Sequence, residues 1–175
     1  MSLPVIEWES MFLVDGRGMS LDGKPSVGGL NYVAKRFFSL EVPEDLSTSP
    51  VHVIEAVALL VSVRLWLELL PSQSLVPIGS DNMAVVSALQ WGKARDRCLG
   101  AMTRLMWGLF ACHGSDCLVR YVPTDENKSD GLSRLNRSHV GYLLSQGWCQ
   151  DHPSLSMFSL NEDSPFLFQE GSQGS

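Results

Sequence analysis

Four carboxylates stand where an acid is costly to keep. Asp15 ends the apolar run SMFLVD, residues 10–15, and Glu55 lies inside the most hydrophobic stretch of the chain, in HVIEAVALL. Asp81 ends VPIGSD, and Asp130 opens a short helical pattern after CLVRYV. Buried carboxylates need a positive partner, and no Lys or Arg stands at matching places for all four. A cation solves that problem. Hard divalent ions such as Mg²⁺, with Mn²⁺ as an alternative, take oxygen ligands of this kind. Each acid also has an ordinary reading. An Asp at a strand end or helix start is commonly a turn former or a cap, and a Glu near a helix start is favoured by the dipole. The set of four is a stronger signal than any member.

The cysteines offer a weaker alternative. Cys98, Cys112, Cys117 and Cys149 match no zinc or disulfide spacing, and the knot from Cys112 and His113 to Cys117 lacks an evident fourth ligand. They are expected as reduced, mostly buried thiols.

The elements that must carry the acids follow from periodicity. The first 45 residues read as about three antiparallel strands: residues 10–15, then, after a Gly-rich stretch, 30–33, then 35–42, with glycines at the turns. Ser47, Thr48 or Ser49 can cap a helix whose first turn holds Pro50. Its body, 51–70, is apolar around the whole circumference and so should be buried on most faces. A strand over 75–79 leads to Asp81, a helix over 83–90 ends at Gly92, and a helix over 94–112 carries an apolar stripe at 98, 99, 102, 105, 106, 109 and 110. On such stripes Trp66 and Trp107 are expected in the core. A strand over 117–122 precedes a loop and a short helix over 125–135, and a small helix is expected around 139–145. The order β-β-β-α-β-α-α-β-α describes one mixed α/β domain.

Bulk composition bounds the rest. The 175 residues are 45% hydrophobic and 18% charged, enough for one stable core. Residues 51–70 contain His52, Glu55, Arg64 and Glu68, which argues against a membrane span, and the start MSLPVIEWES lacks the features of a signal peptide. The expected location is therefore intracellular, in cytoplasm or nucleus. A net charge of −6 counts only mildly against a nucleic-acid substrate, because a bound cation supplies local positive charge.

With these residues in view, the chain resembles a ribonuclease H-like domain of the kind that follows the reverse transcriptase in DIRS-type and related retroelement polyproteins. The resemblance rests on Ile54-Glu55-Ala56, on Ser80-Asp81-Asn82 with the following helix 84–89, and on the run from Tyr121 to Arg134. That run is similar to the family pattern V-P-x-x-x-N-x-x-D-x-L-S-R. Coverage is about residues 10–137, with 1–9 as a lead-in and 138–175 as a short helix and loose tail or linker. The resemblance implies a five-stranded mixed sheet, its first three strands antiparallel, flanked by helices. It implies a metal-dependent endonuclease that cuts the RNA strand of RNA–DNA hybrids with two Mg²⁺ ions and leaves a 5′ phosphate. Asp15 would bridge both ions, Asp130 would complete the site of the ion that activates water, and Glu55 and Asp81 would hold the ion facing the leaving oxygen. The hybrid would be read by groove shape and 2′-hydroxyls, and an adjacent reverse transcriptase domain would be the protein partner.

Departures from the pattern sharpen the expectations. Asp22, in a turn beside Gly23, competes with Asp15 for the first position. Cellular ribonucleases H carry a His in the loop before the last Asp, whereas PTDENKS has none, and Asn127 stands at the family's Asn. Lys93, Arg95 and Arg97, after Gly92, are candidates for phosphate contact in place of a basic protrusion, as is Asn82 beside the third acid. The rival reading is a catalytically silent module that keeps the fold and packs against a polymerase.

Overall fold

The computed structural model describes residues 10–19, 21 and 23–154. Asp22, the lead-in 1–9 and the expected loose end of the chain lie outside the described residues. Three strands come first: β1 (Phe12–Arg17), β2 (Ser26–Asn31) and β3 (Arg36–Glu41). They pair antiparallel, Phe12 opposite Asn31 and Arg17 opposite Ser26 in the first ladder. Helix α1 (Val51–Trp66) ends in a 3₁₀ turn, Leu67–Leu69, and leads to β4 (Leu75–Ser80), which lies parallel to β1. Then follow α2 (Met83–Trp91), α3 (Arg97–His113) and β5 (Asp116–Tyr121), parallel to β4. Two short helices, α4 (Asp130–Ser133) and α5 (Arg137–Ser145), precede β6 (Cys149–Gln150).

The sheet runs β5-β4-β1-β2-β3-β6. The expected mixed sheet with three leading antiparallel strands is present, and a sixth strand is added to the expected five. Two residues carry no periodicity, so β6 is invisible in the sequence. What holds it is tertiary. Asp151 accepts from Arg36 Nη2 at 2.6 Å and from the Trp66 indole Nε1 at 2.9 Å. Burial works against the Asp151 charge, but the Arg36 and Trp66 bonds outweigh it and hold the carboxyl below its usual range. The chain thus stays on the fold as far as Asp151.

Helix α1 is buried on every side because its sequence has no polar face. Residues Val53 to Val63 are all buried, Glu55 among them, between β1 and β2 on one side and α3 on the other. Trp66 closes its end against Phe12 and Phe38, with ring centroids 5.3 and 5.4 Å away. Pro50 itself takes the cap position of α1, so none of the three preceding hydroxyls caps it. Helix α2 is capped by Asn82, whose Oδ1 accepts from Val85 N, and ends at Gly92 with φ 66°. Asp96 caps α3 in the same way through Leu99 N, which is why α3 starts at Arg97 rather than at Ala94. No helix among the described residues is long and apolar enough to cross a membrane.

Two expectations about side chains are corrected. Trp107 is 41% exposed rather than in the core. The stripe of α3 that buries is Leu99, Met102, Met106 and Phe110, and residue 107 sits one position, about 100°, off it. All four cysteines are free, but Cys112 and Cys149 are exposed. Only the half-buried pair is shielded, and desolvation pushes the Cys117 thiol up to about 12. Met106 is fully buried, so Met106→Ala should lower stability by about 2–5 kcal/mol in urea denaturation. A loss near zero would mean that α3 does not seal the core.

Candidate metal centre

Asp15, Glu55 and Asp81 reach one point from three elements. Asp15 is the fourth residue of β1, the central strand that pairs with β2 on one side and β4 on the other. Glu55 projects from the first turns of α1, and Asp81 follows directly on β4. One carboxylate oxygen from each lies within 4.8 Å of those of the other two. Asp15 and Glu55 are buried, at 5% and 3% exposure, while Asp81 is half-buried. Parallel pairing sets Val14 of β1 beside Ser80 of β4, so the next residue of each, Asp15 and Asp81, meet by topology.

Two glycines permit this closeness. A Cβ on Gly16 would lie 2.7 Å from Glu55 N and 2.8 Å from the Ile54 carbonyl carbon. Without one, the α1 backbone rests directly on β1, and Gly16 N donates to Glu55 Oε1 at 2.9 Å. Gly28, opposite Asp15 in the ladder, does the same for α4. A Cβ there would meet Leu132 Cβ and Ser133 N at 2.6 Å.

The electrostatics are those of a site short of positive charge. Desolvation pushes the Asp15 carboxyl up to about 6, opposed by hydrogen bonds from Glu55 and Ser133 and reinforced by repulsion from Asp81 and Asp130. Glu55 is raised well above the ordinary carboxylate range, first by burial and then by Asp15. Three acids that repel one another in a buried place fit a divalent cation with oxygen ligands. This is the test of donor chemistry, and the residues present pass it.

Asp130 lines the same open pocket of about 280 Å³, with Asn82, Arg17, Ser133 and Arg134. Its carboxylate is turned to Arg134, whose Nε donates to Oδ2 at 3.0 Å. The three-acid cluster thus forms without it. Asn127 is buried, donates from Nδ2 to Val14 O at 2.9 Å and accepts from Ser129 N and Oγ. It pins the segment before Asp130 to β1. Lys93, Arg95 and Arg97 are exposed on the connection between α2 and α3 and in the first residue of α3, away from the pocket lining. In the loop without His, Thr124 Oγ1 donates to Asp81 Oδ2 at 3.1 Å.

Sequence reasoning passed over Ser133, Arg134, Ser80 and the two close-packed glycines. A signal existed for the first two. They stand three and four residues after Asp130, one turn along the same helix face.

No protein-family model matches the chain, and no curated protein matches it. Solved structures do. Ribonuclease H1 from the halophilic archaeon Halobacterium salinarum NRC-1 superposes with a TM-score of 0.52 at 14% identity, over 73% of this chain and 96% of that one. The LC11 ribonuclease H1 isolated from compost by a metagenomic approach gives 0.54 at 14% identity, over 76% and 96%. At such identity the likeness speaks for architecture. A mixed sheet with three leading antiparallel strands, helices on its faces and these two likenesses make this a chain of the ribonuclease H-like fold.

Proposed function

We propose that this chain is a metal-dependent endonuclease that hydrolyses the RNA strand of RNA–DNA hybrids. The observation that carries the reading is the convergence of Asp15, Glu55 and Asp81 within 4.8 Å from β1, α1 and the end of β4. The ribonuclease H1 neighbours support it at the level of fold. Asp15, Glu55 and Asp81 would hold Mg²⁺ or Mn²⁺, with Asp130 completing the set. The ions would supply Lewis-acid stabilisation of the oxygens that attack and leave the phosphorus. Asp15, Glu55 and Asp81 would provide the charge that retains them, and the Ser80 and Thr124 hydroxyls orient Glu55 and Asp81.

Asn82 borders the pocket, and Lys93, Arg95 and Arg97, exposed after α2, are the candidates for further phosphate contact. With net charge −6 and few such contacts, the isolated domain should bind a hybrid weakly, with a shallow salt dependence. The resemblance carried by the Tyr121–Arg134 run supports a place in a retroelement polyprotein, where an adjacent reverse transcriptase would supply the remaining grip.

Titrating Mg²⁺ into the purified chain with a labelled hybrid, beside Asp81→Asn, tests this. Metal-dependent cutting of the RNA strand is expected from the wild type and none from the variant. A wild type that neither cuts nor takes up metal by calorimetry would leave the silent module as the reading.

A further inference from the structure

Ser133 is the residue that the four-acid reading leaves without a role, yet it touches the site's central acid. Its Oγ donates to Asp15 Oδ2 and stands 2.9 Å from the Asp130 carbonyl oxygen. A serine hydroxyl has one proton, and the carboxylate is the stronger acceptor. The residue is 1% exposed. Its place is set from the sheet: Ser26 Oγ on β2 donates to the Ser133 carbonyl, and Ser39 Oγ on β3 donates to the Leu132 carbonyl at 2.5 Å. Gly28 removes the side chain that would otherwise hold α4 away. Ser133 is thus tied to β2 through its own carbonyl, and Asp15 accepts from a donor held in that way.

We infer that Ser133 is a positioning residue, which fixes the Asp15 carboxylate for a divalent cation and ties it to the helix that starts with Asp130. The inference rests on the metal reading above. The choice of a hydroxyl matters physically. Arg or Lys at this point would orient Asp15 equally well but would neutralise the charge that a cation needs. A hydroxyl orients and leaves the charge in place. The three clustered acids share this device, since Glu55 accepts from Ser80 and Asp81 from Thr124. The Asp15 bond is the one that joins the cluster to α4. Partners of this kind typically change metal affinity or activity by about 10–100-fold.

The plain alternative is that Ser133 only anchors α4. Ser39→Ala separates the two readings, because it removes an anchor of α4 without touching Asp15. The experiment uses the full chain and follows Mg²⁺ uptake by calorimetry, the Mg²⁺ concentration for half-maximal cleavage at saturating hybrid, KM for the hybrid, and melting in EDTA. Ser133→Ala is expected to raise the Mg²⁺ requirement about tenfold or more, with KM for the hybrid close to wild type and an EDTA melting temperature lowered about as much as in Ser39→Ala, since each variant loses one hydrogen bond. Ser39→Ala is expected to melt lower and keep the wild-type Mg²⁺ requirement. A wild-type Mg²⁺ requirement in Ser133→Ala overturns the inference. So does an equal rise in both variants, or a Ser133→Ala chain that melts far below Ser39→Ala. A wild type that takes up neither Mg²⁺ nor Mn²⁺ overturns the metal reading itself, whatever the variants do.

Discussion

Asp15→Asn should abolish the proposed hybrid cleavage and raise the melting temperature of the metal-free chain at neutral pH. Both expectations follow from a buried carboxylate that lacks a cation. Burial has moved the Asp15 carboxyl from 3.8 to about 6 and has raised Glu55 well above the ordinary carboxylate range. A folded pKa above the unfolded one means that the folded state binds more protons in between. The stability is then fully present below about 4 and lost as pH rises through about 6. For Asp15 the climb corresponds to about 3 kcal/mol, and Glu55, also raised by burial, adds a loss of the same sign. Without metal, the wild type at pH 7.5 bears this cost in full. Asn bears none of it, so melting in EDTA should rise by about 5 °C or more. Added Mg²⁺ should stabilise the wild type at pH 7.5, because an ion held only by the folded state shifts the equilibrium by mass action. It should do little for Asp15→Asn. Thermal melts at pH 5 and 7.5, each with EDTA and with Mg²⁺, check all of this. A variant that melts below wild type at pH 7.5 in EDTA would make Asp15 a structural acceptor for Ser133 and nothing more. Asp151 has the opposite sign. Its depressed carboxyl contributes stability that is lost as pH falls, so the optimum of the metal-free chain lies on the mildly acidic side.

Gly16→Ala should be among the most damaging single methyl additions in the molecule. The new Cβ would meet Glu55 N, the Ile54 carbonyl carbon and Glu55 Cα, all within 2.9 Å and all backbone. No side chain can swing aside there, so α1 has to lift from β1. That opens the contact between the strand that carries Phe12 and Val14 and the helix beneath them, and it breaks the bond from Gly16 N to Glu55. Overpacking of this kind costs about 3 kcal/mol, and cleavage should vanish with the displacement of Glu55. Gly108→Ala is the contrasting case. It lies on α3 with nothing within 4 Å of an added Cβ, so it should be neutral or stabilising by up to about 1 kcal/mol through helix propensity. Urea denaturation of both variants measures the difference. A Gly16→Ala chain as stable as Gly108→Ala would mean that α1 does not lie against β1 as closely as described.

Much of this was legible in the residues themselves. Apolar alternation and helical periodicity mark β1, β3, β4, β5 and α1 to α3, because burial on one face or on all faces writes a period into the chain, whereas the glycines of β2 hid its start at Ser26 and moved the expected strand to 30–33. Glu55 was conspicuous for the same reason, as an acid in HVIEAVALL with no local cause. Asp15 and Asp81 were legible as acids at the ends of apolar strands, and the Asp130 run through its resemblance to a family pattern.

The rest depends on proximity between residues far apart in sequence, which no local pattern records. Trp107 looked like a core residue because a wide stripe and its neighbour one position along are hard to tell apart without knowing how much of α3 is covered. β6 exists because Asp151 meets Arg36 and Trp66, residues 115 and 85 positions away. Gly16 and Gly28 read as turn or strand glycines until the helices packed on them are seen. Asp130 stands in the motif with the other acids, but its carboxylate is turned to Arg134, and Ser133 is the α4 residue that reaches Asp15. The kinds of residues available to bind a cation are a property of the sequence, since composition and local environment set which acids lack a partner. Which oxygens meet, and which hydroxyls hold them, is decided by the packing of helices on the sheet, because hydrogen bonds and repulsions act over a few ångströms in space and not along the chain.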